Sequence, residues 1–281
     1  MSDLLANVTA WLNRLADGLG WLLLAPLGWM PGWLSATIVS AVTGVLLLAM
    51  FKYTSNQKAI KRARDDIKAN LLAVKLFKDS ASVALRSQTR ILGGAMRLML
   101  FSIVPMLVMM VPVCLLLGQL ALWYQARPLQ LGDQATLTLK LSPSEQADWP
   151  DVRLQPMPGV EVVAGPARVK SEGEVCWNLV ARENGYQQLR FQVGDQIVEK
   201  ELAIGNDFMR VSLLRPSWNW SEMAMNPWEK PFHPDSSVQA IGIEYPHRDS
   251  WTSGTDWWIG YWFVASMVAA FIFRPWLKVN I

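Results

Sequence analysis

KYTSNQKAIKRARDDIKANLLAVKLFKDS, residues 52–80, lies between two apolar stretches that carry no charge at all. Within it Ile60, Ala63, Ile67, Leu71, Val74 and Phe77 recur at spacings of three and four, the signature of an amphipathic helix with Lys and Arg on its far side. Ser55 is the expected N-cap, and Lys78, Asp79 and Ser80 form the expected turn. A second helix should then return through Val83, Arg86, Arg90 and Ile91, with Gly93 and Gly94 loosening its junction with the next apolar stretch. Two such helices of about 20 residues would form a coiled-coil hairpin projecting about 30 Å.

The block 52–97 holds eleven Lys and Arg against Asp65, Asp66 and Asp79. Lys and Arg this dense beside membrane spans mark the cytoplasmic side of a bilayer. Three stretches have the length and apolarity to cross one. They are Trp33–Phe51, Leu98–Tyr124 (with Pro105 and Pro112, where a kink is expected) and Trp257–Phe273. The N-terminus is then expected outside and the C-terminal tail, 274–281 with Arg274 and Lys278, in the cytoplasm. Trp21, Trp29, Trp33, Trp123, Trp251, Trp257, Trp258 and Trp262 fall near the outer ends, as an interfacial aromatic belt requires.

Residues 1–32 form an outer interfacial segment. Leu4, Leu5, Val8, Trp11, Leu12 and Leu15 give an amphipathic helix lying on the outer surface. Leu19 to Pro31, broken by Gly20, Pro26, Gly28 and Pro31, reads as interfacial or re-entrant. The alternative, a fourth full span, would put the N-terminus inside.

From 125 to 256 the composition turns polar and acidic. Ala135–Leu141, Val160–Val163, Val175–Ala181, Gln187–Val193 and Gln196–Ile204 read as short strands separated by turn residues, the pattern of an antiparallel sandwich of about 80 residues. ENGYQQLRFQV suggests a strand entered through a tyrosine corner. After Gly205 the strand signal fades, and a Trp- and Pro-rich extension is expected to cover the sandwich rather than rest on the bilayer. The fold class is thus an α-helical integral membrane protein with three transmembrane helices, a cytoplasmic helical hairpin and an extracytoplasmic all-β sandwich-like domain. The chain is 52% hydrophobic and only 17% charged, below the roughly 25% charged residues of soluble domains.

Chemistry is sparse. His233 and His247 lie near Asp235, Glu244 and Asp249 without an established metal-ligand spacing. No phosphate loop, nucleophile elbow or zinc-protease motif occurs, so neither an enzyme nor a cofactor is expected. Cys114 lies inside an apolar span and Cys176 in a soluble segment, so they are not expected to pair. The basic block is explained by orientation and anionic lipid headgroups, not by nucleic acid. The first span carries small and hydroxyl residues, Ser35, Thr37, Ser40, Thr43 and Gly44, which either pack against helices or line a hydrated groove. Met96, Met99, Met106, Met109 and Met110 gather on the second span, as packing filler or as an adaptable surface.

The order of segments resembles the YidC/Oxa superfamily of membrane insertases, and most closely its minimal three-span members. The residues carrying the resemblance are Leu4–Leu15, Trp33–Phe51, 53–80, Arg97–Tyr124 and Trp257–Phe273, roughly half the chain. Two departures are visible. Arg97 sits at the edge of the second span where bacterial members hold a polar group well inside, and the sandwich replaces a short loop. The resemblance implies a bacterial inner-membrane protein that assists insertion or assembly of membrane proteins. Arg97, Thr54, Asn56, Gln57, Ser40 and Thr43 would line a cytoplasm-facing groove. Lys58, Lys61, Arg62, Arg64 and Lys68 would meet nascent membrane proteins, a ribosome or lipid. The alternative is a membrane-anchored periplasmic binding or assembly module contacting other envelope proteins through its sandwich.

Overall fold

The computed structural model describes residues 2–24, 30–76, 81–142, 150–206, 208–248 and 257–279. Three helices among them are long and apolar enough to cross a membrane. The chain divides into two compact units, 1–36 with 114–261, and 37–113 with 262–281. The helices α2 (Gly32–Thr54), α4 (Ala81–Tyr124) and α6 (Trp257–Leu277) each contribute to both.

In the helical unit α3 spans Gln57–Leu76. Its N-cap is Asn56, whose Oδ1 accepts from Ala59 N at 3.1 Å, and not Ser55, whose hydroxyl donates back to Phe51 O at 2.6 Å. Ile60 and Ala63 are buried, as the spacing predicts. The expected loosening at Gly93 and Gly94 is absent: α4 is one helix of 44 residues that runs through both glycines and through Pro105 and Pro112. Gly94 is there for closeness. A Cβ on it would lie 2.6 Å from Ile67 Cγ1, so α3 and α4 approach at this point with the Ile67 side chain seated on the bare backbone of Gly94. Phe77 and the turn Lys78–Ser80 lie outside the described residues.

The second tight crossing in this unit joins α2 to α6. A Cβ on Gly44 would stand 2.1 Å from the backbone oxygen of Ser266. Small residues let helix backbones meet where lipid offers no hydrophobic force to drive them together. By contrast, α4 has little cover: from Met96 to Val111 nearly every apolar side chain is exposed, Met106 at 72%.

The other unit is built on two antiparallel sheets. One has the order β3-β4-β1-β8-β7, from β1 (Gln134–Leu141), β3 (Val160–Val169), β4 (Glu174–Ala181), β7 (Leu214–Arg215) and β8 (Val238–Ile243); the other has β2-β5-β6, from β2 (Val152–Leu154), β5 (Gly185–Val193) and β6 (Gln196–Ile204). Alternation in β1 buries Ala135, Leu137, Leu139 and Leu141. Leu179, Leu189, Phe191, Leu202 and Ile241 complete a core in which Trp177 of one sheet meets Phe191 of the other at 5.6 Å. Each such side chain contributes about 2 kcal/mol by leaving water.

Two sequence expectations change here. The strand signal does not end at Gly205, because Val238–Ile243 inserts as β8 between β1 and β7 and Val211, Phe232 and Tyr245 join the core. The extension is therefore part of the sandwich, which is larger than the 80 residues expected. Tyr186 makes no corner with its own upstream backbone; its hydroxyl accepts from Arg210 N at 3.1 Å. The buried tyrosine that ties a strand is Tyr245, accepting from Ala203 N at 3.0 Å.

The first helix, α1, spans Ser2–Leu24 and does not break at Gly20. Gly20 gives way to a neighbour, since a Cβ there would lie 2.6 Å from Gln119 Oε1. Pro26 and Gly28 lie outside the described residues. The helix turns Ala6, Asn13 and Gly20 inward against α5 (Trp220–Met225) and the end of α4. Leu4, Leu5, Val8, Trp11 and Leu15 face outward, exposed. That is the reverse of a helix in a water-soluble domain, where the apolar stripe turns to the core.

Candidate functional site

The residues singled out from sequence fall into four places. Lys58, Lys61, Arg62 and Lys68 are exposed on α3, with Arg64 half-buried beside them. Their charges stay in solvent while Ile60 and Ala63 face inward, so the hairpin's polar side is a basic surface. Thr54, Asn56 and Gln57 stand at the α2–α3 corner, where their side chains organise the turn. Thr54 Oγ1 donates to Met50 O at 2.8 Å, Asn56 caps α3, and Gln57 Nε2 donates to the Ser55 hydroxyl. Arg97 is exposed on α4.

Ser40 and Thr43 are in a different setting from the other four groove candidates. Both are buried. The Thr43 hydroxyl donates to the backbone of its own helix, at Val39 O, and accepts from Trp262 Nε1 of α6 at 3.2 Å. Thr43, with Gly44 beside it, is the closure between α2 and α6. Ser35, one turn from the start of α2, is also buried. It donates to Gly32 O at 3.0 Å and accepts from Tyr124 Oη at 3.1 Å.

The sequence reading missed two polar clusters. On the inward face of α1, Asp17 accepts from Gln119 Nε2 at 2.5 Å, and Asn13 Nδ2 donates to Met223 O at 2.7 Å while its Oδ1 is buried without a partner. Burial lifts the Asp17 carboxyl to about 6, against the opposing hydrogen bond from Gln119 and the charge of Arg210. The available signal was Gln119, one of only two polar side chains in its apolar stretch. In the β-domain Lys200 is fully buried, pairing with Glu229 and donating to Ser212 O at 2.7 Å. Burial pulls its pKa down, opposed by Glu229. The alternating pattern of β6 places position 200 inward, but nothing in the sequence points to Glu229 as its partner.

His233 and Asp235 pair at 3.2 Å on the surface, while His247 bridges to Ala126 and Glu244 stands apart; Asp249 lies outside the described residues. Among the described residues no group of three or more His, Cys, Asp or Glu gathers. Comparison with protein-family models, with curated proteins and with solved structures finds no match.

Proposed function

We propose that this chain is a bacterial inner-membrane protein that assists the insertion or assembly of other membrane proteins, built on the plan of the YidC/Oxa insertases. Its N-terminus and β-domain lie outside, and its hairpin and C-terminus lie in the cytoplasm. The observation that carries the reading is α4. One helix joins the basic hairpin to an apolar stretch whose part from Met96 to Val111, rich in Met96, Met99, Met106 and Met110, has almost no cover from the other described residues. Flexible thioethers adapt to differing apolar segments. The basic residues of α3 receive the emerging chain, and Arg97 with Thr54, Asn56 and Gln57 forms the groove mouth. Thr43 acts in the structural closure of α2 on α6, with Ser40 buried one turn earlier.

Depletion in the source organism, followed by pulse-labelling of membrane proteins with short external tails, tests this. Their insertion should fall, and a copy carrying Arg97→Gln should restore it only in part. Unchanged insertion after depletion overturns the proposal.

A second reading makes the β-domain the working part and the helices its anchor. It is favoured by the domain's own closed core, from Leu137 to Ile241. Replacing α2, α3, α4 and α6 by an unrelated anchor separates the two, because only this reading predicts retained function.

A further inference from the structure

One end of the β-domain holds a cleft of about 410 Å³ lined by Gln196, Arg215, Trp218, Lys230, Phe232 and His233, among others. Arg215 in its lining makes no salt bridge among the described residues. Arg215 Nε donates to Lys230 O at 2.9 Å and Nη1 to Glu199 O at 2.5 Å, and its guanidinium lies 4.1 Å from the centre of the Phe232 ring. These partners are neutral. The two carboxylates nearest in field are engaged elsewhere: Glu229 by Lys200 and Ser212, Glu199 by Arg190 at 3.0 Å. Lys230 is exposed at the rim and, among the described residues, in no ion pair. Asp235, the acid beside them, is turned to His233 Nδ1.

Two basic residues therefore line one small space that also presents rings. Trp218 and Phe232 wall it, and His233 lies 6.3 Å from Trp218, ring centre to ring centre. A guanidinium held by backbone carbonyls keeps its remaining N–H donors for a ligand. Charge-assisted bonds from it are stronger than neutral ones. A bare inorganic anion would leave the aromatic wall unused, and a neutral sugar would leave the charges unmatched.

We propose that this cleft binds a small organic carboxylate with a ring-shaped body, an acidic sugar or an aryl acid. The carboxylate meets Arg215 and Lys230, and the ring lies against Trp218. The site is independent of the insertion reading, and its failure leaves that reading untouched.

The test is ligand-observed saturation-transfer NMR on the full chain in nanodiscs of zwitterionic lipid, titrated separately with sodium glucuronate, sodium benzoate, glucose and inorganic phosphate. Either carboxylate should saturate, at least about tenfold more tightly than glucose or phosphate. Preference for glucuronate identifies a sugar acid, and preference for benzoate an aryl acid. Lys230→Glu and Trp218→Ala should each weaken binding about tenfold with the thermal unfolding of the chain unchanged. Absence of saturation by both carboxylates, equal binding of glucose or phosphate, or wild-type binding by either variant overturns the proposal. Arg215→Gln is a poorer probe, because Arg215 also ties two backbone segments together.

Discussion

Asp17 is the side chain through which pH acts on α1. In the docked helix its carboxyl is raised to about 6, against 3.8 when free. A raised pKa means that the fold prefers the protonated form. The stabilisation is complete below the free value and is lost as pH rises through about 6. Asp17 is partly exposed, so solvent screening reduces the effect to about 1 kcal/mol. Urea unfolding of the wild type and of Asp17→Asn, each at pH 4 and pH 7, should show the loss on going to pH 7 smaller in the variant by that amount; identical pH responses would exclude the assignment. Lys200 presents the opposite risk, a buried cation matched by one acid. Removing the acid with Glu229→Ala should destabilise the β-domain by about 3–5 kcal/mol, whereas Lys200→Met with Glu229→Leu should come close to neutral, because the pair's desolvation penalty disappears with it. Chemical denaturation of the three chains distinguishes these outcomes.

At the scale of elements, two adjacent glycines in α4 have different tasks. Gly93 meets no atom within 4 Å of its would-be Cβ, so Gly93→Ala should stabilise the helix by up to about 1 kcal/mol. Gly94→Val should destabilise the hairpin by about 1–3 kcal/mol through its collision with Ile67, and Ile67→Ala should recover part of that. Hydrogen exchange along α3 reports both effects. The α3 helix was legible because its apolar residues repeat at three and four, although of those described only Ile60 and Ala63 are buried and Leu71 is exposed, and the β1 strand because its apolar residues alternate. The role of Gly93 and Gly94 was not legible, since a glycine pair reads the same whether it frees a backbone or admits a neighbour. Neither was the role of Ser40 and Thr43. A hydroxyl on a span looks the same from sequence whether it lines water or, as Thr43 does here, bonds its own helix and Trp262. The β8 strand was hidden because Val238–Ile243 is short and follows a long irregular stretch, so only its long-range pairing with β1 defines it.

For the whole molecule, the proposed orientation makes a direct prediction. In a chain with Cys114 and Cys176 changed to Ala, a membrane-impermeant maleimide should label Asp195→Cys in cells with a permeabilised outer envelope and Lys61→Cys only after lysis. The reverse pattern, or equal labelling, would refute the orientation. In the proposed membrane location the β-domain stands among other proteins at high density. Its longest free edge is β3, where two register shifts interrupt the pairing with β4 and Pro166 lacks an N–H to offer a neighbour. Edge strands that stay straight and fully bonded are templates for fusion into larger sheets. A strand that twice loses step offers no such template, so crowding should leave this domain a separate particle rather than the seed of an aggregate.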